Sequence, residues 1–223
     1  YELYKTDTKN NLAKLTKENN DMKIEKEKWA KIEEVILEDQ DDKCYICERK
    51  VTTDYQVEHL ASQNAYAAGV NEWENLYIAC NYCNDKKKTS FDDIKHPDTY
   101  NVEDVIRHSV DLENERVTFT TESDDAAVQK TVKMLERMFN GTNAPKRVLM
   151  ETRFYNKFKQ SYNNFQSVVH DYLAGHTEEM RPVIEMQIGQ RSEYLAFKYA
   201  VIMENETLRH DFGDMVRWNR VED

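Results

Sequence analysis

The chain has 223 residues, 39% hydrophobic and 33% charged, with a formal net charge of −11. That composition describes a soluble globular protein with one compact domain or a small core carrying an appended part. The acidic balance argues against a protein that coats nucleic acid by charge alone, and leaves a local basic patch, a bound metal or a partner subunit as the means of gripping it. No apolar run approaches the roughly 20 residues of a membrane helix. Tyr1 to Lys17 is polar and mixed in charge, without the pattern of a secretory signal, and a cytoplasmic location is expected.

Scarce glycine (5) and proline (3) predict few long loops and a high helix content. Residues 1–20 read as a loose lead-in. A helix is expected from Asp21 to Leu37, with Trp29, Ile32 and Ile36 on one face, and together these make a first region, 1–43. The next region, 44–95, has a different texture. Val51 to Glu58 alternates as a strand, Leu76 to Ile78 suggests a second, and a short helix is expected after Cys80, carrying Asn84 and Lys86 to Lys88. The third region, 96–223, opens with a linker at His96-Pro97-Asp98 and a hairpin from Val105–Leu112 and Arg116–Thr121. Val128, Val132, Leu135 and Phe139 then form a helical stripe that stops at Asn140-Gly141. Pro145 suits the first turn of a long helix striped by Phe154, Phe158, Tyr162, Phe165, Val169 and Tyr172 and ending at Gly175. A last helix is expected over Ser192–Leu208, with Tyr194, Phe197 and Val201 on one face, and residues 176–191 receive no assignment.

All four cysteines fall in the middle region, as two C-x-x-C pairs: Cys44 with Cys47, and Cys80 with Cys83. In a chain without export features such pairs point to a metal before disulfides. Four thiolates close a tetrahedral shell around Zn²⁺ and leave no open position, so this metal is structural; an iron centre is the less favoured alternative. Between the knuckles lie Glu58-His59 and Trp73-Glu74-Asn75-Leu76, and Asn84 follows Cys83 directly. An imidazole titrates near neutrality and suits a general base, so His59 can activate water. Glu58 and Asn84 offer hard oxygen ligands suited to Mg²⁺ or Mn²⁺, which can polarise a phosphate. Asn75 can hydrogen-bond across the loop and set its shape.

The string C-x-x-C … V-E-H-L … W-E-N-L … A-C-N-Y-C-N-D-K-K over residues 44–90 resembles the zinc-containing HNH endonucleases. The resemblance implies a mainly α, α+β chain with a small ββα-metal core. It implies His59, Asn75 and Asn84 at the three catalytic positions, with His59 as general base, Glu58 and Asn84 as ligands of the divalent ion, and Asn75 as the loop brace. The His found last in many members is Asn84 here, a variant also used in phage resolvase-like and RNA-guided members. A sparser pattern runs beyond the core: His96-Pro97, a β pair, a helix with Thr131, Leu135 and Asn140, then Arg153. It resembles the nuclease subunits of Septu-type antiphage systems (the PtuB type), some of which occur beside reverse transcriptases in retrons. It implies a DNA or RNA substrate, an ABC/SMC-like ATPase partner and a role in antiviral defence.

Lys86, Lys87 and Lys88 lie where phosphate oxygens are expected to approach, and Lys146, Arg147 and Arg153 belong to a stretch, 142–160, with five basic residues against one acid, Glu151. Both sets are candidate nucleic-acid contacts; a solvated helix face accounts for the second equally well. The aromatic stripe from Phe154 to Tyr172 reads as core or partner-facing surface rather than a base-stacking platform. The competing reading of the whole chain is a non-catalytic, zinc-stabilised subunit that binds nucleic acid or protein.

Overall fold

The computed structural model describes residues 26–67, 72–97, 99–144 and 146–216; for residues 26–29 and Glu103 it describes the backbone alone. The expected lead-in, the start of the first helix, the side chain of Trp29, Asp98 and Pro145 lie outside the described residues. The described chain is mostly helical, with two small two-stranded antiparallel sheets, and it divides into two compact units: the described residues of 26–46 with 50–93, and of 47–49 with 94–216. Among the described residues no helix is long and apolar enough to cross a membrane.

In the first unit, α1 (Lys26–Asp39) packs on β2 (Leu76–Cys80), which pairs antiparallel with β1 (Tyr55–His59) from Tyr55↔Cys80 to His59↔Leu76. Helix α2 (Asn81–Lys87) follows β2 without a loop and packs on both strands. Ile32 and Ile36, four apart on α1, are buried, as are Ile46, Val51, Leu60, Leu76 and Ile78. Gln40 substitutes for a missing strand partner: its amide donates to the Ile78 carbonyl at 3.0 Å and accepts from the Ile78 amide at 2.8 Å. The expected first strand begins later than the sequence suggests, at Tyr55, because residues 52–54 form a bend and the Val51 amide bonds the Asp42 carbonyl instead of extending the β1–β2 ladder.

The second unit holds a short helix, α3 (Val102–Val105), and a hairpin of β3 (Arg107–Asp111) and β4 (Arg116–Thr120). Helix α4 (Ala126–Asn140) packs on β4, followed by α5 (Leu149–Leu173) and α6 (Thr177–Ile188), which pack along each other. Helices α7 (Leu195–Glu204) and α8 (Glu206–Phe212) close the unit. Residues 47–49 belong here: the carbonyl and carboxylate of Glu48 accept the amides of Tyr194 (3.2 Å) and Ala196 (3.0 Å), which caps α7.

The aromatic stripe of α5 is core. Phe154, Phe158, Phe119, Phe139 and Phe197 meet with ring centroids 4.6–5.8 Å apart, mostly edge-on or tilted, as ring quadrupoles favour. Phe165, Val169 and Tyr172 build a second cluster with Ile184, Ile188, Ile202 and Phe212. One helix lies where the sequence carries no assignment, and another feature departs from expectation. Helix α6 forms despite Pro182, because Ile184 and Ile188 are buried against that cluster. The expected single last helix is two, because Asn205 turns extended (φ −105°) and its side chain accepts the Leu208 amide at 3.1 Å as an N-cap.

Two side chains tie this unit internally in ways that limit substitution. Asn140, buried at the end of α4, pairs with Val117 of β4 as a strand would, accepting at 2.9 Å and donating at 2.7 Å. Gly141 follows with φ +88°, and Glu151 beneath it accepts the amides of Thr142 (3.0 Å) and Val148 (2.9 Å). A Cβ at Gly141 meets the Glu151 carboxylate at 2.5 Å. Gly141→Ala therefore combines backbone strain with displacement of that carboxylate and is expected to destabilise the unit by about 1–3 kcal/mol, read as a lower chemical-denaturation midpoint. An unchanged midpoint would refute the account.

His108 is buried between Phe119 and Phe197, at ring distances of 5.0 and 4.9 Å, with its Nδ1 2.8 Å from the Ile106 carbonyl. Burial pushes its pKa down from 6.5 to about 4, against a weaker upward pull from that carbonyl. With the folded value depressed, the unfolded chain takes up the proton first. This contribution to stability is complete above pH 6.5 and drains away as the pH falls toward 4, by about 3 kcal/mol. His108→Leu is expected to flatten that part of the stability–pH curve; a curve of unchanged slope between pH 6.5 and 4 contradicts it.

Candidate functional site

The first knuckle is shaped by backbone turns. Lys43 and Lys50 bridge antiparallel, Asp41, Asp42 and Glu48 have positive φ, and the Tyr45 amide donates to the Ile78 carbonyl at 3.0 Å. The second knuckle is the junction of β2 and α2: Cys80 ends the strand, caps the helix, and its sulfur accepts the Cys83 amide at 3.4 Å. The result is that Cys44, Cys47, Cys80 and Cys83 are all buried with their sulfurs within 4.8 Å of one another. Four soft donors, no oxygen ligand and a backbone amide aimed at one sulfur fit a structural zinc. Metal affinity at such a site is folding energy. The purified chain is expected to carry one zinc, and Cys83→Ser or strong chelation to remove it together with the cooperative melting of the fold around the knuckles. A Cys83→Ser protein that keeps its metal and its melting point would count against the site.

Above the knuckles, β1 and α2 face each other through paired side chains. Gln56 and Glu58, two apart on the strand, share a face; Asn84 and Lys87, three apart on the helix, share another. Asn84 Nδ2 donates to Gln56 Oε1 at 2.8 Å, and Lys87 Nζ donates to Glu58 Oε1 at 2.8 Å and to the His59 carbonyl at 3.1 Å. The second Glu58 oxygen accepts from the Tyr45 hydroxyl at 3.0 Å. Lys87 has 0% exposure and Glu58 8%. Burial pushes the Glu58 carboxyl up, opposed by the attraction of Lys87 and by the bonds from Lys87 and Tyr45. Burial, then the neighbouring carboxylate, hold the Tyr45 phenol well above its ordinary value, so it stays a donor.

His59 ends β1, half-buried, opposite Leu76. Asn75 is buried in a 3-10 turn (Trp73–Asn75) and clamps the chain after β1: its Oδ1 accepts the Ala61 amide at 2.8 Å and its Nδ2 donates to the Ala61 carbonyl at 3.1 Å. The same loop is held by Asp92, which accepts the amide (3.0 Å) and hydroxyl (2.7 Å) of Ser62.

Residues 44–90 match the family model of the HNH endonucleases. The HNH segment takes in both knuckles, β1, β2 and α2. Searches of curated proteins and of solved structures find no match.

The expected nucleic-acid contacts separate into two groups. Lys88 is exposed and Lys86 half-buried, its ammonium 5.9 Å from the Tyr82 ring. Lys87, expected beside them on the surface, instead points inward, because the helix repeat places it opposite Glu58. In the second unit Lys146 and Arg153 are exposed. Arg147 is turned inward: it donates to the carbonyls of Phe139 (3.1 Å) and Glu115 (2.6 Å) and lies 3.8 Å over the Tyr155 ring. Arg147 thus caps the end of α4, and Lys159 is paired with Glu115 at 2.8 Å.

Sequence reading missed Gln56, Tyr45 and the inward role of Lys87. The signal was present in the matching intervals: a strand pair two apart facing a helix pair three apart, each joining an oxygen ligand candidate to a partner.

Proposed function

We propose that the HNH segment is a metal-dependent endonuclease that hydrolyses phosphodiester bonds in DNA or RNA. The observation that carries this reading is the β1–α2 interface within the matched residues: Lys87 of α2 holds Glu58 and the His59 carbonyl of β1, and Asn84 of α2 bonds Gln56 of β1. His59 accepts the proton of a water, the water oxygen attacks phosphorus, and the bond to the leaving oxygen breaks, that oxygen taking a proton from solvent. A Mg²⁺ or Mn²⁺ ion held through the Glu58 carboxylate and the Asn84 amide oxygen would neutralise charge on the scissile phosphate and leaving oxygen. Asn75 holds the loop after His59 in shape. Lys86, Lys88, Lys146 and Arg153 are the exposed or partly exposed cations of the chain proposed for phosphate contact; Lys87 and Arg147 act inside the fold.

The finer reading, a Septu-type nuclease working with an ABC/SMC-like ATPase in antiphage defence, is supported by the sequence pattern beyond the core. Two of its positions have local tasks: Thr131 accepts the Lys95 amide at 3.0 Å, and Asn140 pairs with Val117. A non-catalytic binding subunit is the second reading, favoured by Glu58, both of whose oxygens already have partners.

Cleavage of plasmid, single-stranded DNA and tRNA separates them. Wild type with Mg²⁺ or Mn²⁺ is expected to cut at least one, and His59→Ala to lose 10²-fold or more while keeping its zinc and melting point. Binding of nucleic acid with no cutting under any metal, by a folded zinc-loaded chain, would select the binding subunit.

A further inference from the structure

Two residues with no assigned part stand directly behind the candidate ligands of the divalent ion. Lys87 is a fully buried cation with no acceptor to offer a metal, and its ammonium meets Glu58 Oε1 (2.8 Å), the His59 carbonyl (3.1 Å) and Asp92 Oδ1 (3.9 Å). Asp92 in turn holds Ser62, in the loop that follows His59. One ammonium therefore fixes the Glu58 carboxylate, the strand end bearing His59 and the loop beyond it. Gln56 is exposed on the same strand face, and its Oε1 accepts the Asn84 Nδ2 at 2.8 Å. With the nitrogen of the Asn84 amide engaged by Gln56, its oxygen is the end left to face a cation.

We infer that Lys87 and Gln56 are positioning residues for the divalent ion, Lys87 orienting Glu58 and Gln56 orienting Asn84 across the β1–α2 interface. The inference rests on the nuclease reading for the identity of the site but makes a separate claim about how its ligands are held. Partners that orient metal ligands change affinity by 10- to 100-fold when removed. For Lys87 the sign of the change is diagnostic. By charge alone, taking a cation away from beside Glu58 tightens binding of another cation; by geometry, freeing Glu58 from its partner loosens it.

The test is Mn²⁺ binding by the zinc-loaded full chain, followed by the paramagnetic resonance of free Mn²⁺, for wild type, Gln56→Met, Lys87→Met and His59→Ala. Zinc content and melting point serve as fold controls. Both positioning variants are expected to bind Mn²⁺ 10- to 100-fold more weakly, while His59→Ala binds as wild type. The Mn²⁺ concentration for half-maximal cleavage is expected to rise by the same factor, with a smaller change in the rate at saturating Mn²⁺. Wild-type affinity in Gln56→Met, or tighter binding in a folded Lys87→Met, overturns the inference. If Lys87→Met does not fold, the exposed Gln56→Met decides it. Mn²⁺ binding that depends on Gln56 without cleavage of any nucleic acid leaves the positioning intact and sinks the nuclease reading. Cleavage whose metal dependence neither variant alters does the reverse, and a wild type that binds no Mn²⁺ sinks both.

Discussion

Four sulfurs buried within 4.8 Å of one another have no stable arrangement as free thiolates, because their charges repel and no water can reach them. A tetrahedral cation would resolve the conflict and turn a repulsive cluster into an anchor for the strands and helix around it. Its consequences extend along the chain in both directions. Cys80 is at once the end of β2, the N-cap of α2 and part of the cluster, so strand, helix and knuckle are fixed relative to one another by a single residue. Helix α2 has only seven residues, too short to persist in isolation. Held at Cys80 and Cys83, it presents Asn84 and Lys87 to β1 at a fixed height.

The second constraint is the buried pair Lys87–Glu58. Burying two charges is costly, and their attraction repays it only when the remaining hydrogen-bonding capacity is met. Here it is met: the His59 carbonyl takes a second bond from the ammonium, and Tyr45 bonds the second carboxylate oxygen. Tyr45 lies within the first knuckle and its ring rests 4.8 Å from Tyr77 on β2. The carboxylate proposed for metal binding is thus supported from the helix on one side and from the first cysteine knuckle on the other. Leaving either member of such a pair alone costs about 3–5 kcal/mol, which ties the integrity of the fold to the integrity of the site.

The acidic balance of the chain and its nucleic-acid reading meet in how the basic residues are spent. Lys87, Arg147 and Lys159 are committed to Glu58, to the end of α4 and to Glu115 respectively, so they contribute to folding rather than to an external field. Exposed Lys88, Lys146 and Arg153 are few, and counterion release scales with the number of phosphates neutralised. Electrostatic affinity from such a set is modest.

The sequence by itself determined the cysteine cluster, the order of the two strands and the helix around it, the β3–β4 hairpin, and the stop of α4 at Asn140-Gly141, because each is written in local spacing: C-x-x-C, strand alternation, helical stripes and a positive-φ glycine. It also placed Glu58, His59, Asn75 and Asn84 within one short segment. Tertiary structure decided what depends on a partner distant in the chain. Helix α6 needed the burial of Ile184 and Ile188 to outweigh Pro182. The fates of Lys87 and Arg147 were invisible for the same reason: a lysine in a run of three or an arginine in a basic stretch looks solvated until the fold sets Glu58 or the Phe139 carbonyl against it. Local patterns fix local geometry, while the cost of burying a charge is settled only where the opposite group arrives.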